Sequence, residues 1–215
     1  MAPDVSARSL RTADGLTLEA ELAGATPIGA GPGTPRAAVV LCHPHPQYGG
    51  TMRSLVISVL FEELPRLGFP CLRFNFRGVE RSEGAYTEGR HEPLDIEAAI
   101  DEAASAWPGT PLVVVAWSFG ADMALQVVDP RIAGWVAIAP PLRFRSSFAA
   151  ATDPRPKHLV LAEHDEFRPP AEVIDAVGAW AATTTAIVAG ASHFFVGRAD
   201  RVVTESRVGI DRAVG

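Results

Sequence analysis

The sequence predicts an α/β fold on a mostly parallel, eight-stranded sheet, with helices on both faces. Three observations predict it. From Ala37 onward, short runs that are apolar throughout alternate with segments of helical periodicity, as expected when helices bury both faces of a parallel sheet. Before them, residues 5–11 and 16–22 alternate apolar and polar positions around Asp14-Gly15, a hairpin signal that opens the sheet with an antiparallel pair. The β-branched run that starts at Leu112 stops at Ser118, and a helix-compatible segment follows at once. That is the pattern of a tight strand-to-helix turn.

The remaining elements follow in order. Residues 24–35 form a loop rich in Gly and Pro. Its Gly29-x-Gly31-x-Gly33 spacing imitates a phosphate-binding fingerprint, but Pro32 and Pro35 forbid a helix there and the loop precedes a strand. Residues 37–42 are a central strand. A helix over 51–64 carries Met52, Val56, Val59, Leu60 and Leu67 on one face, with Pro65 ending or bending it and Gly68 closing the turn. Residues 71–76 are a strand, and 77–84 a polar loop. A helix over 92–107 starts with Pro93 and buries Ile96, Ile100, Ala103 and Trp107. After Ser118 a helix runs over 119–128 to Asp129-Pro130. Then come strand 134–139, a connection over 140–156 with one helical turn near 144–150, strand 158–162, helix 169–180 and strand 184–189. After His193 a closing helix aligns Phe195, Ala199, Val202, Ser206 and Ile210.

Bulk properties exclude several classes. A chain of 215 residues is expected to form one domain, residues 1–215. The net charge is −6 with no basic concentration, which argues against nucleic acid or an anionic membrane as partner. No run of about 18 apolar residues exists to span a bilayer. Residues 1–10 lack the basic-then-apolar pattern of a secretory leader, so a cytoplasmic protein is expected. Cys42 and Cys71 fall in interior strands and read as small buried hydrophobes. The sequence carries no signal for oligomeric state.

Ligands in parallel α/β sheets bind beyond the carboxyl ends of the strands. The residues there are His43-Pro44-His45-Pro46, then Ser118, then Glu163-His164-Asp165-Glu166, then His193. A serine, an acid and a histidine thus meet one rim in that chain order. Ser118 is the candidate nucleophile, His193 the base, and Asp165 the group that orients the imidazole, with Glu163 and Glu166 as competing acids. An oxyanion needs two N–H donors. Phe119 supplies one. Pro44 and Pro46 have none to give, which leaves His45 or Gln47, and His45 lies closer to the strand end. The His43-x-His45 pair lacks the further ligands of a metal cluster, so neither metal nor cofactor is expected. Tyr48, Trp117, Phe119, Phe194 and Phe195 are candidates for an acyl pocket, and Arg143, Arg145 and Arg168 for binding a substrate carboxylate.

Five motifs now make a family visible: His43-Pro44-His45-Pro46 with Gly49-Gly50-Thr51-Met52, Phe74-Asn75-Phe76-Arg77-Gly78-Val79, Trp117-Ser118-Phe119-Gly120, His164-Asp165-Glu166-Phe167, and Ala191-Ser192-His193-Phe194-Phe195. Together they resemble the small, lidless hydrolases of the α/β-hydrolase superfamily. The resemblance implies that fold and a Ser118–His193–Asp165 triad. Ala116 replaces the usual first glycine of the elbow, Glu80 stands where glycine is common, and His91 occupies another glycine-rich position. The short, proline-bounded connection over 140–156 implies no lid. The expected activity is hydrolysis of a small carboxylic ester or thioester through an acyl-enzyme. Peptidase, lactonase and acyltransferase chemistry share the same machinery. A catalytically silent binding protein of this fold is the reading from another class, and the complete triad argues against it.

Overall fold

The turn at Asp14-Gly15, with Gly15 at φ 90°, folds β1 (Val5–Arg11) onto β2 (Thr17–Ala23) in antiparallel register, Val5 opposite Ala23 and Arg11 opposite Thr17. The computed structural model describes residues 4–25 and 35–215; the Gly29, Gly31 and Gly33 pattern lies outside them. Six further strands follow: β3 (Ala38–Cys42), β4 (Cys71–Phe74), β5 (Leu112–Trp117), β6 (Ile132–Ile138), β7 (Lys157–His164) and β8 (Thr183–Ser192). Their order across the sheet is β1-β2-β4-β3-β5-β6-β7-β8. Among the described residues only the pairings of β2, with β1 and with β4, are antiparallel.

The helices are α1 (Leu55–Arg66), α2 (Glu92–Ala106), α3 (Phe119–Ala124), α4 (Pro170–Val177) and α5 (Ala199–Val214). The sheet separates two apolar cores. Leu112, Val114 and Ala116 of β5 point into the core shared with α2, α3 and α4, whereas Val113, Val115 and Trp117 point into the core shared with α1 and α5. Period-two alternation with both faces covered is why the strand reads as apolar throughout.

Several boundaries differ from the sequence expectation, each for a local reason. α1 starts at Leu55 instead of residue 51, because Thr51 and Ser54 close a turn on each other. Its buried face is Val56, Ile57, Leu60, Phe61 and Leu64; Val59 is half-buried, and Leu67, beyond the last turn, is exposed. α3 stops at Ala124, and the N–H groups of Gln126 and Val127 reach back three residues instead of four. The helical turn expected near 144–150 is a 3₁₀ turn at Ala149–Thr152. The N–H groups of Leu142, Arg143 and Phe144 are held instead by the Asp122 carboxylate. α4 ends at Val177, and α5 begins only at Ala199, after a turn in which Phe195 takes φ 52°.

The connection from β6 to β7 carries that single 3₁₀ turn and no helical layer. Among the described residues the carboxyl ends of the strands therefore face outward with no cap domain above them. No helix among the described residues is long and apolar enough to cross a membrane.

Candidate active site

β5 delivers Ser118 to the rim, and the turn into α3 is strained. Ser118 has φ 55° and ψ −121°, while its N–H donates to the Ile138 carbonyl of β6 at 2.8 Å. A non-glycine residue held there costs about 1–3 kcal/mol and persists only where its surroundings enforce it. Close packing is part of the enforcement. A Cβ at Gly120 would lie 2.5 Å from the His43 carbonyl oxygen and 2.8 Å from that of Cys42, so only glycine fits. The methyl group of Ala116 is accommodated in the apolar core, 1% exposed.

β8 delivers His193. The Trp117 Nε1–H donates to the His193 carbonyl at 3.2 Å, and the His193 N–H donates to Glu166 Oε2 at 3.1 Å, which together fix the backbone of the turn. The ring then bridges two partners. Its Nε2 lies 2.9 Å from Ser118 Oγ, and its Nδ1 lies 3.0 and 2.9 Å from the two carboxylate oxygens of Asp165. Asp165 follows β7, and its Oδ1 accepts the N–H groups of Phe167 at 2.9 Å and Arg168 at 3.2 Å. A carboxylate beside Nδ1 holds the ring proton there and leaves Nε2 to accept from the hydroxyl. The other acids of the segment face elsewhere: Glu163 Oε2 accepts from the Gly190 N–H at 2.7 Å, and Glu166 touches only the His193 backbone.

Two backbone donors sit beside Ser118 without a partner. Among the described residues, the N–H groups of Phe119 and His45 donate to nothing in the protein. Gln47, the alternative to His45, donates to His45 Nδ1 at 3.2 Å. The His45 ring is held by Tyr86 Oη, 3.1 Å from its Nε2, and packs among Tyr48, Tyr86, Phe119 and Phe144 at centroid distances of 4.7, 5.0, 5.1 and 5.2 Å. Burial lowers its pKa, and the nearby Arg143 charge lowers it further against an opposing pull from Glu92. His43 is not part of the cleft. Its Nδ1 donates to the Pro44 carbonyl at 2.6 Å, and its Nε2 accepts the Phe76 N–H at 3.0 Å. Burial pushes its pKa down to about 4, so the ring stays neutral. No cluster of three metal-ligating side chains occurs among the described residues.

Ser118 and His193 open into a cleft of about 430 Å³. Tyr48, Trp117, Phe194 and Arg143 line it, as do Phe144 and Phe167, which sequence reasoning missed. Phe167 packs edge-on to His193 at 4.5 Å, and its place two residues after Asp165 in the chain is the available signal. Three expectations are corrected. Phe119 and Phe195 are fully buried, so their side chains are core and not pocket walls. Arg168 is occupied, its Nη1 donating to the carbonyls of Pro141 at 2.8 Å and Leu142 at 3.0 Å. Arg145 is exposed outside the cleft lining.

A mostly parallel eight-stranded sheet, a serine on a strand-to-helix elbow and no layer above the strand ends define a lidless α/β hydrolase. A family model described as serine aminopeptidase, S33, matches residues 33–173, and the chain belongs to that α/β-hydrolase family. The uncharacterized protein RP471 of Rickettsia prowazekii (strain Madrid E) is 32% identical over 176 residues, which cover 75% of this chain and 74% of the relative. XC6422 of Xanthomonas campestris, described as an α/β serine hydrolase without lid, superposes with a TM-score of 0.85 at 25% identity, covering 97% of this chain and 94% of that one. An α/β serine hydrolase homologue of Coxiella burnetii gives a TM-score of 0.80 at 27% identity, covering 94% and 96%.

Proposed function

We propose that the protein is a serine hydrolase that cleaves small carboxylic esters or thioesters through an acyl-enzyme. One observation carries the reading: the unbroken line from Asp165 through His193 to Ser118, with 2.9 Å contacts on both sides of the imidazole. In the proposed reaction Ser118 Oγ attacks the carbonyl carbon while His193 Nε2 takes its proton. The N–H groups of Phe119 and His45 stabilise the resulting oxyanion. His193 returns the proton to the leaving oxygen or sulfur, and the acyl group stays on Ser118. Water, deprotonated by the same nitrogen, then releases the acid and regenerates the hydroxyl. Asp165 stabilises the imidazolium in both halves.

The absence of a helical layer over the strand ends among the described residues, together with a cleft of about 430 Å³, favours short or compact acyl groups over long chains. A fluorophosphonate probe is expected to label Ser118, with labelling lost in Ser118→Ala, and 4-nitrophenyl acetate and butyrate are expected to be turned over. An unlabelled Ser118 with neither ester hydrolysed would sink the reading; a preference for long acyl chains would sink its small-substrate part.

The description of the matching family favours a second reading, removal of an amino-terminal residue from a peptide. A peptide's ammonium group calls for a carboxylate in the cleft. The lining residues include no Asp or Glu and do include Arg143, which favours the ester reading. Aminoacyl-4-nitroanilides cleaved faster than the nitrophenyl esters would reverse that order.

A further inference from the structure

One wall of the cleft is held by a device that no step of acyl transfer uses. Asp122, on α3 just after Ser118, is fully buried. Its Oδ1 accepts the Leu142 N–H at 2.8 Å, and its Oδ2 accepts those of Arg143 at 2.9 Å and Phe144 at 3.1 Å. Arg168 grips the same loop through the carbonyls of Pro141 and Leu142. Within this loop Ala139 has φ 43° and Leu142 φ 48°, conformations that L-residues avoid unless held. A strained loop fastened through its own backbone by a buried acid is built to present something.

What it presents is Arg143 and Phe144. The Arg143 guanidinium lies 5.3 Å over the Phe144 ring and 5.8 Å over that of Phe167, and the residue is exposed at the cleft. Other arginines of the chain are spent on carboxylates: Arg73 on Glu21, Arg77 on Asp95 and Asp14, Arg131 on Asp101 and Asp129. Among the described residues Arg143 has no acidic partner, and no acid lines the cleft in a chain of net charge −6. Its field reaches the His45 ring, whose protonation it opposes. A cation aimed into a carboxylate-free cleft lacks only a counter-ion, and the substrate can bring one.

We propose that Arg143 selects esters or thioesters carrying a carboxylate, and that Asp122 is the positioning residue that holds Arg143 over the cleft. The proposal deepens the serine-hydrolase reading and rests on it. Two matched pairs of substrates test it. In the first the anion is on the acyl side: 4-nitrophenyl hydrogen glutarate against 4-nitrophenyl 5-methylhexanoate, in which methyl groups replace the carboxylate oxygens. In the second it is on the leaving group: 4-carboxyphenyl acetate against phenyl acetate, corrected for the intrinsic reactivity of each ester. The readout is the ratio of kcat/KM within a pair, from which the folded fraction of enzyme cancels. In at least one pair the wild type is expected to favour the anion by about tenfold or more. Arg143→Gln is expected to remove most of that preference and Asp122→Asn a smaller part of it, both through KM. Raising sodium chloride from about 0.05 to 0.5 M is expected to shrink the wild-type preference. A wild-type ratio near one in both pairs, or a ratio unmoved by Arg143→Gln, overturns the proposal while neutral esters still turn over and Ser118 still labels. No turnover of any ester with Ser118 unlabelled overturns the underlying hydrolase reading and this proposal with it.

Discussion

His43 and His193 occupy equivalent places and differ in everything that matters chemically. Each directly follows a parallel strand, β3 or β8, on the same rim of the sheet. Each is nearly sealed from solvent, at 0% and 5% exposure, and each has both ring nitrogens engaged. For His43 the partners are backbone groups, the Pro44 carbonyl and the Phe76 N–H. Neither can move a proton, so the ring ties two loops together and stays neutral. For His193 the partners are a carboxylate and a hydroxyl. Here the proton on Nδ1 is stabilised in either charge state, and the lone pair on Nε2 points at a group whose deprotonated form is a nucleophile. Burial alone therefore does not separate a histidine that ties backbone groups together from one set between an acid and a hydroxyl; the identity of the group on each nitrogen does.

The sharpest way to break this contrast is to remove the proton path on one side. Ser118→Ala and His193→Gln are each expected to lower kcat/KM for 4-nitrophenyl acetate by about 10⁴- to 10⁶-fold. Asp165→Asn should cost about 10³- to 10⁴-fold, because an amide on Nδ1 favours the wrong tautomer. Glu163→Gln and Glu166→Gln should each stay within about tenfold, since both carboxylates meet backbone N–H groups and not the ring. A larger loss at Glu163 or Glu166 than at Asp165 would mean that the static contact misidentifies the partner of His193.

The other arm of the contrast predicts a loss of a different kind. His43→Leu preserves bulk but leaves the buried Phe76 N–H and the half-buried Pro44 carbonyl without their partner. Each orphaned group costs about 1–3 kcal/mol, and together they should lower Tm by roughly 4–24 °C for a chain of this size. The folded fraction should still take the fluorophosphonate label. A His43→Leu enzyme that keeps its Tm but loses labelling would move His43 from scaffold to chemistry.

Part of this arrangement is legible in the sequence because it is local. Small residues at Ala116 and Gly120 around a serine announce an elbow, and fully apolar strands announce a sheet covered on both sides. The chain order of Ser118, Asp165 and His193 places all three on the rim once the strands are parallel. What is not legible depends on non-local packing. Asp122 sits where a helix pattern suggests a solvated charge, and only the path of the loop at residues 142–144 turns it into a buried anchor. Phe144 and Tyr86 reach the site from loops without periodicity. Leu67 fits the apolar stripe of α1 by count but falls past its end. Glu80, which stands where glycine is common in the motif, has φ 49°, which gives that glycine a physical reason.

The smallest effect is also the most specific to His43. Its folded-state pKa is about 4 against an ordinary 6.5, so the folded state is the weaker proton binder. A depressed pKa contributes stability that is fully present above about pH 6.5 and lost as pH falls toward 4. At about 1.4 kcal/mol per pH unit the full contribution is about 3 kcal/mol. The total acid response of the wild type mixes this with opposing groups. Asp95 and Asp122, each pushed up to about 6 by burial, favour the folded state below about pH 3.8 and lose that contribution as pH rises through 6. The difference between wild type and His43→Leu cancels them. The Tm penalty of the substitution should therefore be largest near pH 7 and smaller by roughly 6–12 °C near pH 4. A penalty constant across that window would mean that the folded and unfolded states bind the His43 proton equally well, and the contrast with His193 would no longer rest on a ring locked in the neutral state.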